Sequence, residues 1–280
     1  MRIGVHVSTA GHIYDSIGRT LALGCNTMQI FSRDPRQWRR GRLSAEDIEE
    51  FRILREKSKI YPVFVHVPYL INLASPYSAL YRGSIKAYIE DIKEAELIGA
   101  EYIVTHMGSH KKSGEDKGLR KIISALNKIL DRTKKSPVSI LLENTSGSGS
   151  WLGYKFEHQL QIINGVERND RIGICFDTCH GYSAGYDLKS SGGYAETFSQ
   201  LDRIVGLGRL KLIHLNDTRD DLSSHRDRHE HIGKGKIGLE GFRRLLNDSR
   251  LADIPFILET PKDSQRADKV NLAAVRKLVK

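Results

Sequence analysis

Residues 172–180 read Ile172-Gly173-Ile174-Cys175-Phe176-Asp177-Thr178-Cys179-His180. A strand-length apolar run ends on a carboxylate, and a polar turn follows. Side chains alternate with a period of 2 along a strand, so Cys175 and Asp177 share one face. The same pairing, an apolar residue followed two positions later by a metal-binding type, recurs along the chain. Phe64 precedes His66 in 63–67, Val104 precedes His106 in 102–106, and Leu141 precedes Glu143 in 139–143. Leu212 precedes His214 in 210–215, and Ile257 precedes Glu259 in 255–259. With 3–7 and 27–31, eight strands are predicted. Helical spacing lies between them, as in Ile85, Tyr88, Ile89, Ile92, Ala95, Ile98 and in Leu119, Ile122, Ile123, Leu126, Ile129, Leu130. Ser44 to Asp47 reads as a capping box that opens another helix. Eight strand–helix units in 280 residues, about 35 residues each, fit a (β/α)8 TIM barrel better than a doubly wound sheet with a second domain. No linker or composition shift interrupts the alternation, so one α/β domain over 1–280 is expected. The long polar stretches 147–153 and 217–238 become loops over the strands' C-terminal ends, where barrel chemistry sits.

The six strand-end residues are the central observation. A lone strand-end His is usually a satisfied structural residue, and a lone Asp or Glu often caps the next helix. Six at one end of one barrel reverse that reading, because clustered carboxylates repel unless cations lie between them. Imidazole and carboxylate without thiolate suit zinc, with manganese or iron as permitted substitutes. His180 and the sequence Asp227-Arg228-His229 could supply a further position. By spacing alone, however, the charge-rich stretch 219–231 reads as a solvated loop. Cys179 reads as a small buried residue and not as a ligand.

Lys and Arg number 44 against 34 Asp and Glu, a formal charge of +10. Such a chain meets polyanions with a favourable field, and nucleic acid is the first partner to consider. No stretch approaches the roughly 20 apolar residues of a membrane span, and no apolar leader follows Met1-Arg2-Ile3-Gly4. Three cysteines are too few for a disulfide framework. A cytoplasmic protein without membrane contact is expected.

The motifs His106-Met107-Gly108-Ser109-His110, Glu143-Asn144-Thr145, the run from Asp177 to Asp187, His214-Leu215-Asn216-Asp217 and Asp227-Arg228-His229 together resemble the endonuclease IV family. The likeness begins at Gly4-Val5-His6-Val7-Ser8, takes in Arg36-Gln37-Trp38 and Tyr69-Leu70-Ile71-Asn72-Leu73, and runs to Leu258-Glu259-Thr260-Pro261. The resemblance implies a monomeric DNA-repair endonuclease that hydrolyses the phosphodiester 5′ to abasic sites in duplex DNA. It implies three zinc ions. His66, His106 and Glu143 hold the first, Glu143, Asp177, His214 and Glu259 the second, and His180, Asp227 and His229 the third. Glu259 or Glu143 orients the attacking water, and Arg36, Tyr69 and Leu70 form a wedge that enters the DNA. Two departures stand out. Ser223-Ser224-His225 occupies a place where the family has Gly-Ser-Arg, and Val67-Pro68 replaces a polar pair before Tyr69.

Two rivals share part of this pattern. A metal-dependent sugar isomerase or epimerase on the same barrel type explains Glu143, Asp177, His214 and Glu259, but not the third position, the wedge or the charge. A DNA-binding module with structural metal explains the charge and predicts binding without cleavage.

Overall fold

The computed structural model describes the chain apart from residues 35, 36, 39, 40 and 42. Eight strands form one parallel sheet: β1 (Ile3–Val5), β2 (Met28–Phe31), β3 (Val63–His66), β4 (Tyr102–His106), β5 (Ser139–Glu143), β6 (Ile172–Asp177), β7 (Leu210–His214) and β10 (Phe256–Leu258). Spatial order runs β2-β3-β4-β5-β6-β7-β10-β1. The sheet closes on itself where His6 bridges Gln29 in parallel register and Val7 N donates to Gln29 O at 2.8 Å. Two short strands, β8 (Asp217–Thr218) and β9 (His229–Glu230), form an antiparallel ribbon within the long loop after β7. The architecture is a (β/α)8 barrel, as the alternation predicts.

Nine helices are present among the described residues: α1 (Asp15–Ala22), α2 (Ala45–Ser58), α3 (Ser78–Leu97), α4 (Glu115–Arg132), α5 (Phe156–Gly165), α6 (Thr178–Ala184), α7 (Ser191–Ile204), α8 (Gly238–Leu246) and α9 (Ala267–Arg276). The helical spacing read at 85–98 lies mostly in α3, and that at 119–130 lies in α4, which buries Leu119, Ile122, Leu126, Ile129 and Leu130. Ser44 caps α2, its hydroxyl accepting from Asp47 N at 3.0 Å. The reciprocal arm of the capping box goes elsewhere: the Asp47 carboxylate lies 2.8 Å from His12 Nδ1.

Two apolar layers result. Between sheet and helices lies the main core, and inside the barrel Phe64, Val104, Leu141, Cys175, Leu212 and Ile257 pack together, all fully buried. These six are the inward residues that the alternation pairs with the strand-end ligand types. Each buried aliphatic contributes about 1.5–3 kcal/mol, so the plug beneath the mouth is stiff. Gly4 makes room for it: a Cβ there would lie 2.1 Å from Thr27 O and 2.9 Å from Ile257 Cδ1. Several strands stop one or two residues before the predicted ends. At Glu259, for example, the backbone N donates to the Asn216 side chain at 2.8 Å, so a side chain replaces the next rung of the ladder.

Candidate metal centre

Strand geometry delivers the predicted side chains to one end of the barrel. His66 ends β3, His106 ends β4, Glu143 ends β5, Asp177 ends β6 and His214 ends β7. Glu259 follows β10 directly. Four groups form there, each with ligand atoms within 4.8 Å of one another, and three of them hold imidazole and carboxylate alone: His66, His106, Glu143; then Glu143, Asp177, His214, Glu259; then His180, Asp227, His229. Glu143 belongs to two of them through opposite oxygens. Its Oε2 lies 3.0 Å from His66 Nε2 and 3.4 Å from His106 Nε2, while Oε1 lies 3.1 Å from His214 Nδ1.

The third group is assembled from separate elements. Asp177 is the N-cap of α6, and its Oδ1 accepts from His180 N at 2.8 Å, which fixes His180 in the first turn. Asp227 and His229 arrive on the ribbon loop. That loop is held from below by buried Asp217, whose carboxylate accepts from the backbone N of Thr218, Gly233, Gly235, Ile237 and Gly238. Most of 219–231 is exposed, as the solvated-loop reading expects, but the stretch is anchored at its base and brings Asp227 and His229 up to His180.

Imidazole protonation follows from the partners. His66 Nδ1 faces Val67 O at 2.6 Å, His180 Nδ1 faces Asn144 O at 3.0 Å, and His229 Nδ1 faces Glu259 O at 2.9 Å. A carbonyl only accepts, so each Nδ1 carries hydrogen and the neutral ring presents a bare Nε2. His180 Nε2 and His229 Nε2 then sit 3.5 Å apart, with Asp227 Oδ1 at 3.2 and 3.4 Å. Three lone-pair donors converge, an arrangement that repels itself without a cation and binds one well. The donor set therefore fits divalent metal, and its nitrogen and oxygen composition suits zinc.

In the metal-free chain a proton on His180 takes the cation's place, and the neutral ring described above is the form that metal would require. Burial opposes ionisation of Glu143, but His106 and His214 outweigh it and hold the carboxyl well below its ordinary range. Glu259 is likewise lowered against burial, chiefly by His214. The charge of His180 is the main cause holding Asp227 far down. His180 itself is raised, burial being outweighed by Asp177 and Asp227. Cys179 also lies near Asp177 and His229, but burial, then Asp177, pushes its thiol up to about 12. Asp177 and His229 each already belong to a group of imidazoles and carboxylates.

Beside the centre, Tyr69 is 60% exposed, an unusual condition for an aromatic on a loop anchored at both ends. Its ring meets Phe31, His66 and His106 edge-on or tilted, with centroids 5.7, 6.1 and 6.0 Å away. Leu70 is half-buried next to it. Arg36 lies outside the described residues. Sequence reasoning missed three residues at the mouth. His6 directly follows β1 and Gln29 lies within β2, and the alternation in Gly4–His6 and Thr27–Gln29 could have revealed them. Trp151 meets His106 at 5.9 Å from the loop after β5 and is held there by a bridge to Ser109. The Ser223-Ser224-His225 departure has a local cost: Ser223 and His225 both have positive φ, 63° and 52°, a region that disfavours side chains. His225 compensates by bonding loops together, its N donating to Ser183 O at 2.9 Å and its Nδ1 lying 2.8 Å from Ser146 O.

A closed parallel barrel with carboxylate and imidazole donors crowded at its C-terminal mouth defines a xylose isomerase-like TIM barrel, and the sequence model of that family matches residues 17–278. A probable endonuclease 4 of Chloroflexus aurantiacus is 44% identical over 279 residues, spanning 99% of this chain and 98% of the relative. Another, from Methanoculleus marisnigri, is 42% identical over 276 residues, with 99% and 98% covered. Among solved structures, endonuclease IV from Thermus thermophilus superposes with a TM-score of 0.89 at 36% identity, covering 99% of this chain and 98% of that one. A D-tagatose 3-epimerase-like protein reaches a TM-score of 0.75 at 21% identity over 99% and 97%, a likeness of fold alone. The chain belongs to the endonuclease IV family.

Proposed function

We propose that the chain is a DNA-repair endonuclease that hydrolyses the phosphodiester 5′ to abasic sites in duplex DNA, using three zinc ions. The observation that carries the reading is the set of three His/carboxylate groups linked through Glu143. Bound zinc supplies an acidified water near neutral pH and neutralises charge on phosphoryl and leaving oxygens. In the hydrolysis the water oxygen forms a new bond to phosphorus and the P–O3′ bond breaks. The water's proton ends on the 3′ oxygen, leaving a 3′-hydroxyl and a 5′-deoxyribose phosphate.

Of the two carboxylates that could orient the water, Glu259 is the better placed. Its side chain is 17% exposed, whereas Glu143 is wholly buried with both oxygens facing imidazoles. An abasic nucleotide lacks pairing and stacking, which lowers the cost of taking it out of the helix. Tyr69 and Leu70, with Arg36, fill the vacated stack. All nine ligand candidates meet within one chain, so the site needs no residue from a second copy, and a monomer is expected. The three cysteines are free, in keeping with a reducing cytoplasm, and no described helix is long and apolar enough to cross a membrane.

The test is an end-labelled duplex with one abasic site, incubated with wild type and Glu259→Gln. Wild type cleaves on the 5′ side and leaves 3′-hydroxyl ends. The variant binds with unchanged affinity but loses most turnover, because charge and basicity change with little change in size. Full cleavage by protein shown to be metal-free overturns the mechanism.

A further inference from the structure

Gln29, on β2, is fully buried at the mouth. Its Nε2 lies 2.5 Å from Glu259 Oε1 and 3.0 Å from His6 Nδ1, and its Oε1 lies 2.8 Å from His214 Nε2. Chemistry fixes the orientation of this amide. A carboxylate only accepts, so the NH2 end must face Glu259; the opposite orientation would set two oxygens against each other. The carbonyl end can then only accept, so His214 Nε2 carries hydrogen and the neutral ring presents a bare Nδ1. That atom is the one 3.1 Å from Glu143 Oε1 and 3.3 Å from Glu259 Oε2.

His214 is thus inverted relative to His66, His180 and His229. Those rings turn Nε2 inward and rest Nδ1 on a backbone carbonyl, a partner that no substitution removes. The outward nitrogen of His214 rests on a side chain. We infer that Gln29 is a positioning residue for the second metal position: one amide sets the tautomer of His214 and turns Glu259 so that Oε2 faces the site. The inference rests on the trinuclear zinc reading.

The experiment is native mass spectrometry of zinc-loaded protein against graded chelator, on wild type, Gln29→Met and Gln29→Glu. Met is nearly isosteric and makes neither hydrogen bond. Glu keeps an acceptor for His214 but sets an acceptor against Glu259. Wild type holds three ions. In Gln29→Met one ion leaves at roughly 10- to 100-fold lower chelator concentration, the usual penalty for losing a partner of a metal ligand, while two stay. Gln29→Glu loosens the same ion by a smaller step and keeps the inference testable if Met disturbs folding. In parallel, kcat on abasic duplex falls while KM holds. Three ions retained with unchanged affinity in a folded variant, or release of all three together with a lowered Tm in excess zinc, overturns the inference. A wild-type chain that binds no zinc overturns the zinc reading and this inference with it.

Discussion

Glu143 and Glu259 titrate below the ordinary carboxyl value of 4.5, and His180 and His214 titrate above the ordinary imidazole value of 6.5. The lowered carboxyls add stability that is present above 4.5 and lost as pH falls through their folded values. The raised imidazoles add stability that is full below 6.5 and lost as pH rises through theirs. His6 and His106, lowered by burial, act in the opposite sense but only below about pH 7, so the Tm of metal-free protein should fall from pH 7 to pH 9, and zinc, which takes the place of the imidazole protons, should abolish that alkaline decline. A Tm of metal-free protein that rises over this range contradicts the assignment. Tyr69 and Leu70 contain no zinc ligand, and their work should be separable. Replacing both with Ala should leave zinc content unchanged and weaken binding to abasic duplex by about 1–3 kcal/mol per lost stacking contact. DNA with a gap opposite the lesion, already unstacked, should recover part of the loss; equal losses on both substrates would make this loop part of the active-site wall. At this scale the sequence was legible where a residue type announces metal chemistry. At Gln29 alternation could show only that the side chain points inward, because an amide has no such signature and acts only through the His214 and Glu259 it touches.

Strands and long helices could be read from periodicity, because each buries one regular face. The ribbon of β8 and β9 could not. Two residues per strand show no period, and what organises the limb is a buried carboxylate at Asp217 gathering backbone N–H groups from 218 to 238. Asp217→Ala leaves those donors unsatisfied at about 1–3 kcal/mol for a buried group. We expect the limb to loosen and the third ion to go, while the ions at His66 and Glu143 stay. Limited proteolysis between Arg219 and Arg228, with zinc counted in the same sample, checks this; a limb as resistant as wild type and three retained ions would contradict it. Strand ends were misjudged by a residue or two for a related reason: at the mouth, side chains such as Asn216 take over backbone partners, and no propensity records that exchange.

The formal charge of +10 should make binding to undamaged duplex fall steeply with salt, since each phosphate neutralised by Lys or Arg releases counterions. Fluorescence anisotropy over a salt series measures the slope, and a flat response would mean that the charge serves another purpose. Preference for the abasic site should outlast general affinity, because it depends on distortion as well as on charge. The barrel as a whole was legible because eight similar units repeat; its closure was not, since nothing local in β1 or β2 says how they meet. They meet through one bridge, His6 with Gln29, and a few hydrogen bonds, Val7 N to Gln29 O and the pair between Ile3 and Asn26, whereas β5 and β6 pair over four residues. A cylinder closed by so short a ladder has a weaker seam, and thermal breathing should start there. The Gln29 side chain at that rung also reaches across the mouth to His214 on β7 and to Glu259 just after β10. Metal loading should therefore act as a clasp: deuterium uptake at Val7 and its neighbours should slow on zinc binding, while uptake along β5 and β6 stays as it was.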